Sequence, residues 1–228
     1  PASLFARYHE QLLAMTHNDA FTRGAVALSL GRCEARDVLS VLRQLIGSSQ
    51  EHGYVREQAL HAVGKLGGAE SEALLLSVAT DANLPVALRR AAVEALPCPL
   101  SSEGCQQLQF LIQSERANPG LIASALNSLG ANRDSSAMRL FMSFSQHEDS
   151  EVAIAALSAL EELQDSNVIS LLVHITQSPN VAAAIRVRAA GVAFKLCGEP
   201  YLLLLQTFLD NGALPLQLQA FEELLHCQ

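Results

Sequence analysis

One spacing constrains this chain more than any other feature. Residues 55–68 read VREQALHAVGKLGG, with Val55, then Arg56, Ala59 four residues past the Val, Val63 eight past it, and a glycine pair at the end. The same order recurs from Thr22, Leu88, Leu121, Val152, Ile185 and Leu216. It is an anchor, often Arg at +1, Ala or Val at +4, apolar at +8, and in most copies Gly soon after. The seven anchors stand 33, 33, 33, 31, 33 and 31 residues apart. A fixed period of this length marks a chain built from one supersecondary unit stacked on itself, because a single unit cannot bury its own apolar face.

A second helical series lies between the anchors: 35–47, 71–80, 104–114, 135–145, 167–177 and 200–209, with 3–17 ahead of them. Polar turns such as TDANLP and LDNGALP follow these segments. Pro85, Pro119 and Pro215 stand just before an anchor, where the fixed φ of proline suits the start of a helix. Gly31, Gly67 and Gly130 read as stops for the second helix. The unit is therefore helix A, tight turn, helix B, short loop. The B helices are predicted near 22–32, 55–67, 88–97, 121–130, 152–163, 185–197 and 216–226, in one repeat domain over 1–228. The apolar band of VREQALHAVGKLGG is wider than one stripe, as a rung with neighbours on several sides requires. Alanine at +4 lets helix axes approach to the close end of about 8–10 Å.

Composition fits a stack of small-residue helices: 50% hydrophobic residues, 5% aromatics and no Trp. A formal net charge of −8 with only 15 Lys and Arg disfavours a nucleic-acid partner, since phosphates need cations gathered on one surface. No apolar run is long enough to span a bilayer. The chain starts at Pro1 rather than Met, so it reads as a possible fragment, and the expected compartment is cytoplasmic. Cys98 and Cys105 flank a short loop and could pair under oxidising conditions, although Cys105 also reads as a helix residue.

At VREQALHAVGKLGG, LRRAAVEAL and IRVRAAGVAFKLCG the pattern resembles HEAT repeats, in the short bacterial or PBS-lyase form with VRxxAxxALGxLG in its second helix. The resemblance covers essentially the whole chain. It implies an all-α fold, a right-handed α-solenoid of about seven two-helix repeats, with B helices lining a concave groove. It implies binding of another protein or peptide far more often than catalysis. The expectation is a non-enzymatic interaction module without a cofactor. The alternatives are a lyase- or glycosylase-like enzyme using the same groove, or the helical-repeat part of a larger assembly.

Enzymes of this architecture that hold two irons use His-Glu pairs at one position of several B helices. Here His9-Glu10 falls on an A helix and His147-Glu148 in a turn, so the pairs cannot converge on a metal. No HExxH, GxSxG, GxGxxG or Walker-type loop occurs. The arginines carry more information. Arg23, Arg56, Arg89 and Arg186 share position +1. They form either a ladder onto acidic or carbonyl groups of the A–B turns, with Asp19 and Asp81 suitably placed, or a basic stripe facing a partner. Positions +1, +2, +5 and +9 are the expected readers of the groove. The candidate partner-binding residues are Arg56, Glu57, Leu60, Arg89, Arg90, Val93, Arg186 and Arg188, with Gly64 and Pro97 beside them.

Overall fold

A computed structural model describes residues 19–31, 38–115 and 118–225. The predicted helix 3–17, the His9-Glu10 pair, Cys33 and Cys227 lie outside them. Among the described residues the chain is an all-α helical repeat: thirteen α-helices, three short 3-10 turns and no strand. The B helices are α1 (Ala20–Leu30), α3 (Gly53–Leu66), α5 (Val86–Glu94), α7 (Pro119–Ala131), α9 (Ser150–Leu163), α11 (Ala183–Cys197) and α13 (Leu214–Leu225). The A helices are α2 (Val38–Gly47), α4 (Ala69–Thr80), α6 (Ser102–Ser114), α8 (Met138–Phe144), α10 (Ile169–Gln177) and α12 (Leu202–Asn211). The last three A helices each begin in a 3-10 turn, at Ser135–Ala137, Ser166–Val168 and Glu199–Tyr201.

Each B helix begins two residues before its anchor, so the period is kept and the phase moves. The reason is burial. Val55, Leu88, Leu121, Val152 and Ile185 are the first buried residues of their helices, and the two helical residues ahead of each are wholly or partly exposed. Three of the leading turns carry polar side-chain caps. Asp19 accepts from the amide of Phe21, His52 from that of Tyr54, and Asp149 from those of Glu151 and Val152.

Packing divides the chain into two units, Pro1–Leu111 and Ile112–Gln228. In the first unit α3 is the hub, packing on α1, α2, α4 and α5. In the second, α9 packs on α7, α8 and α11, and α11 on α10, α12 and α13. The alanines at +4 sit at the centre of this stacking. Ala59, Ala92, Ala125, Ala156, Ala189 and Ala220 are all 0% exposed. A longer side chain there would push two helices apart.

Glycine has two separate jobs. Gly31, Gly64 and Gly130 occupy position +9, each facing the +7 alanine of the next B helix. A Cβ on Gly31 would lie 2.6 Å from the Ala62 carbonyl oxygen, one on Gly130 would lie 2.7 Å from Ala159 Cα, and one on Gly64 would overlap the Ala95 carbonyl. Gly31 also caps the end of α1, as expected, and the left-handed stops are Gly67 and Gly198, with φ of 64° and 73°, which L side chains rarely adopt. Gly130, expected as a stop, lies inside α7. Position +9 is conserved in kind within these three repeats because backbone meets backbone there.

Candidate functional site

Position +1 resolves into a hydrogen-bond ladder. Arg56 Nε donates to the Ile46 carbonyl at 2.7 Å, Arg89 Nε to Ala79 at 2.9 Å and Arg186 Nε to Thr176 at 2.8 Å. Each acceptor is the penultimate residue of the preceding A helix, where carbonyls have no helical partner and the helix dipole favours a cation. Arg186 also lies over the Phe208 ring, 5.4 Å from its centroid. Gln217 takes the same role at +1 of α13, donating Nε2 to the Leu209 carbonyl at 2.8 Å. The row therefore continues where the sequence shows no arginine. Arg23 instead joins α1 to the turn before α3 through Glu51, at 2.8 Å. Asp19 and Asp81, the expected acidic partners, accept from the amides of Phe21 and Asn83.

The remaining candidates separate by burial. Leu60 and Val93 are core residues, 0% and 1% exposed, and present no surface to a partner. The equivalent +5 residue of α11, Ala190, packs against Leu205 and Phe208 of the next repeat. Glu57 is half-buried, and Arg90 is exposed and paired with Glu94 at 3.3 Å. Arg188, at +3 of α11, is the candidate with the most contacts. Its guanidinium meets Glu161 of α9 at 2.6 Å, Glu223 of α13 at 2.8 Å and Ser158 Oγ at 3.0 Å. Lys195 adds a second cation to Glu161 at 2.7 Å. Three successive B helices are tied together at this one arginine.

Among the described residues, hollows open on the B helices in each unit. The first, about 420 Å³, is lined by Leu28, Gln58, His61, Gly64, Lys65, Glu94 and Ala95. The second, about 180 Å³, is lined by Asn127, Gly130, Ala131, Ser158, Ala159, Glu161, Glu162 and Arg188. In repeat register the two linings share +6, +9 and +10 of one helix with +6 and +7 of the next, and differ in the rest. Gln58, His61 and Lys65 were not among the sequence candidates. Their signal was present, since +3, +6 and +10 are the positions left polar between the apolar 0, +4, +5, +7 and +8, and they share one helix face.

Other polar groups have structural work. His147 Nδ1 accepts from the Asp149 amide in the turn before α9. Glu72 is buried and accepts from the Ser101 amide and hydroxyl, which anchors the start of α6. Cys98 and Cys105 are not joined in a disulfide. Among the described residues no group of three or more His, Cys, Asp or Glu is placed to hold a metal ion, and no helix is long and apolar enough to cross a membrane.

Comparison with known proteins follows from this geometry. The chain is similar in structure to the complex of CpcE and CpcF of phycocyanin lyase from Nostoc sp. PCC7120, with 22% identity, a TM-score of 0.52, and cover of 95% of this chain and 86% of that one. Human deoxyhypusine hydroxylase in complex with glycerol follows at 15% identity and a TM-score of 0.43, covering 93% of this chain and 81% of that one. An engineered protein gives 17% identity and a TM-score of 0.40, covering 96% of this chain and 95% of that one. At these identities the likeness is one of fold. No curated protein matches the chain. The family model for HEAT repeats matches residues 10–97 and 108–192. Spanned by that model over most of its length, and built on buried +4 alanines in six of its repeats, the chain belongs to the HEAT-repeat family.

Proposed function

We propose that the chain is a non-catalytic binding module whose B-helix face takes a segment of another protein. The observation that carries this is the pair of hollows in the same repeat register, one in each unit, each lined by polar side chains on helices whose other faces are buried. Rigid helices presenting partly exposed side chains at a fixed spacing suit recognition of an extended or helical segment. The +1 arginines support that face indirectly, by holding each A helix to its B helix. The hollow in the first unit mixes Leu28 with Gln58, His61, Lys65 and Glu94, which suits a segment with both apolar and charged side chains.

Site-specific photo-cross-linking tests this. A cross-linking residue at Gln58 or at Ser158 should give a discrete adduct with a protein in native extract. One at Gln177, exposed on α10, should give none. Lys65→Glu should reduce the Gln58 adduct while leaving the fold intact. Equal adducts from all three positions, or none from the hollows, would sink the proposal.

A further inference from the structure

The two hollows differ in how their polar side chains are occupied. In the second, the charged groups hold one another: Arg188 binds Glu161 and Ser158, and Glu162 stands 3.7 Å from Arg133. In the first, the single carboxylate is engaged, since Glu94 pairs with Arg90 at 3.3 Å. Gln58, His61 and Lys65, which line the same hollow, have no side-chain hydrogen bond or ion pair to any described residue. They stand at +3, +6 and +10 of α3, on one face of the helix. All three can donate a hydrogen bond, and Lys65 carries a full charge. Tyr54, at −1, continues the row, since positions 54, 58, 61 and 65 are spaced four, three and four apart. Its ring stacks on that of Phe21, with centroids 5.8 Å apart and planes within 5°. Gly24 leaves room for both ends of this arrangement. A Cβ there would overlap Tyr54 Cε1 and lie 3.2 Å from Gln58 Cγ, so the aromatic pair adjoins the hollow.

We propose that the first hollow takes an acidic side chain of the partner segment, held by Lys65 with Gln58 and His61 as neutral donors, while an apolar side chain of the same segment lies on Tyr54. This rests on the reading of the B-helix face as a segment-binding surface and adds the sign of the charge that it selects. The reason is charge complementarity. A carboxylate at Lys65 gains a charge-assisted hydrogen bond that no described residue of the protein supplies. A Lys or Arg in its place would meet the like charge of Lys65 and a Glu94 already paired. The formal net charge of −8 favours basic partners for the chain as a whole, so an acidic preference here is a property of the site. From residue 54 to residue 65 a helix rises about 16 Å. An extended segment covers that in about five residues, which sets the spacing between its apolar and acidic side chains.

Selection of phage-displayed random dodecapeptides on the purified full chain tests this. Asp or Glu should be enriched, with a Leu, Phe, Tyr or Trp about five positions away. The best acidic peptide, labelled and followed by fluorescence anisotropy, should bind Lys65→Glu about tenfold more weakly. That difference should shrink between about 0.1 M and about 0.5 M salt. Selection on Lys65→Glu should enrich Lys or Arg instead. Arg139→Glu, the same reversal at an exposed position of α8, should change neither result. Enriched peptides without an acidic residue, acidic peptides bound equally by Lys65→Glu, or an apolar preference kept by Tyr54→Ser would each overturn the inference and leave the segment-binding reading standing. A library that enriches no peptide overturns it as well, and takes that reading with it when the Gln58 adduct is also missing.

Discussion

The first unit and the C-terminal half of the second join neighbouring B helices in different ways. In the first, α1 meets α3 and α3 meets α5 through bare backbone, Gly31 and Gly64 against Ala62 and Ala95. In the second, α9 meets α11 through charge: position +9 is Glu161, and it binds Arg188 and Lys195. One repeat position thus has two physical solutions. Glycine gives dry contact and tolerates no Cβ. Glutamate gives a part-buried ionic joint, whose members are 15% and 22% exposed and depend on one another. The teaching is that the repeat fixes where helices meet but not what makes them adhere.

The largest expected effect falls on the ionic joint. Arg188→Ala takes the shared cation from Glu161 and Glu223 in a part-buried site, leaving Lys195 on Glu161, and should cost about 3 kcal/mol in urea denaturation. A loss under about 1 kcal/mol would show that the joint is as solvated as a surface pair. Next comes the glycine joint. Gly64→Ala would ordinarily help a helix, but here it should cost about 1–3 kcal/mol because the new Cβ meets the Ala95 carbonyl. Gly53→Ala, where nothing lies within 4 Å of the added carbon, is the matched control and should gain about 0.5 kcal/mol. If both glycine variants shift stability alike, close approach is not the reason for Gly64.

Smaller effects sharpen the same contrast. Gln217→Ala removes one neutral hydrogen bond to an A-helix carbonyl and should cost about 1 kcal/mol, less than Arg89→Ala, which removes a buried charged donor. The smallest effect is the pH dependence of the ionic link in the first unit. Burial raises the Glu51 pKa, but the Arg23 hydrogen bond, the His52 amide and the charges of both residues outweigh it and hold the pKa below its ordinary value. Stability from this pair is therefore complete above the usual carboxylate value of about 4.3 and is lost as pH falls through the lowered one. The gap between wild type and Glu51→Gln in thermal unfolding should hold steady from neutral pH down to mildly acidic pH and close below it. A gap that does not change would break the link.

Much of the fold was legible because its cause is periodic. A period of about 32 residues with alanine at +4 dictates stacked helix pairs, and the B helices keep that period while each begins two residues ahead of its anchor. The candidate site was less legible. For the arginines at +1 the sequence pointed first to a ladder and left a stripe open, because spacing places side chains in register without saying which way a long one folds back. The hydrogen bonds to Ile46, Ala79 and Thr176 decide that. Leu60 and Val93 were expected to read a partner, yet both side chains are buried.

By itself, then, the sequence determined the all-α repeat, its register and its family, since each follows from local pattern repeated along the chain. Only the tertiary structure decided which faces of the B helix are core and which line a hollow. Those assignments depend on what packs against each helix: Gly64 against Ala95, and Arg188 between Glu161 and Glu223.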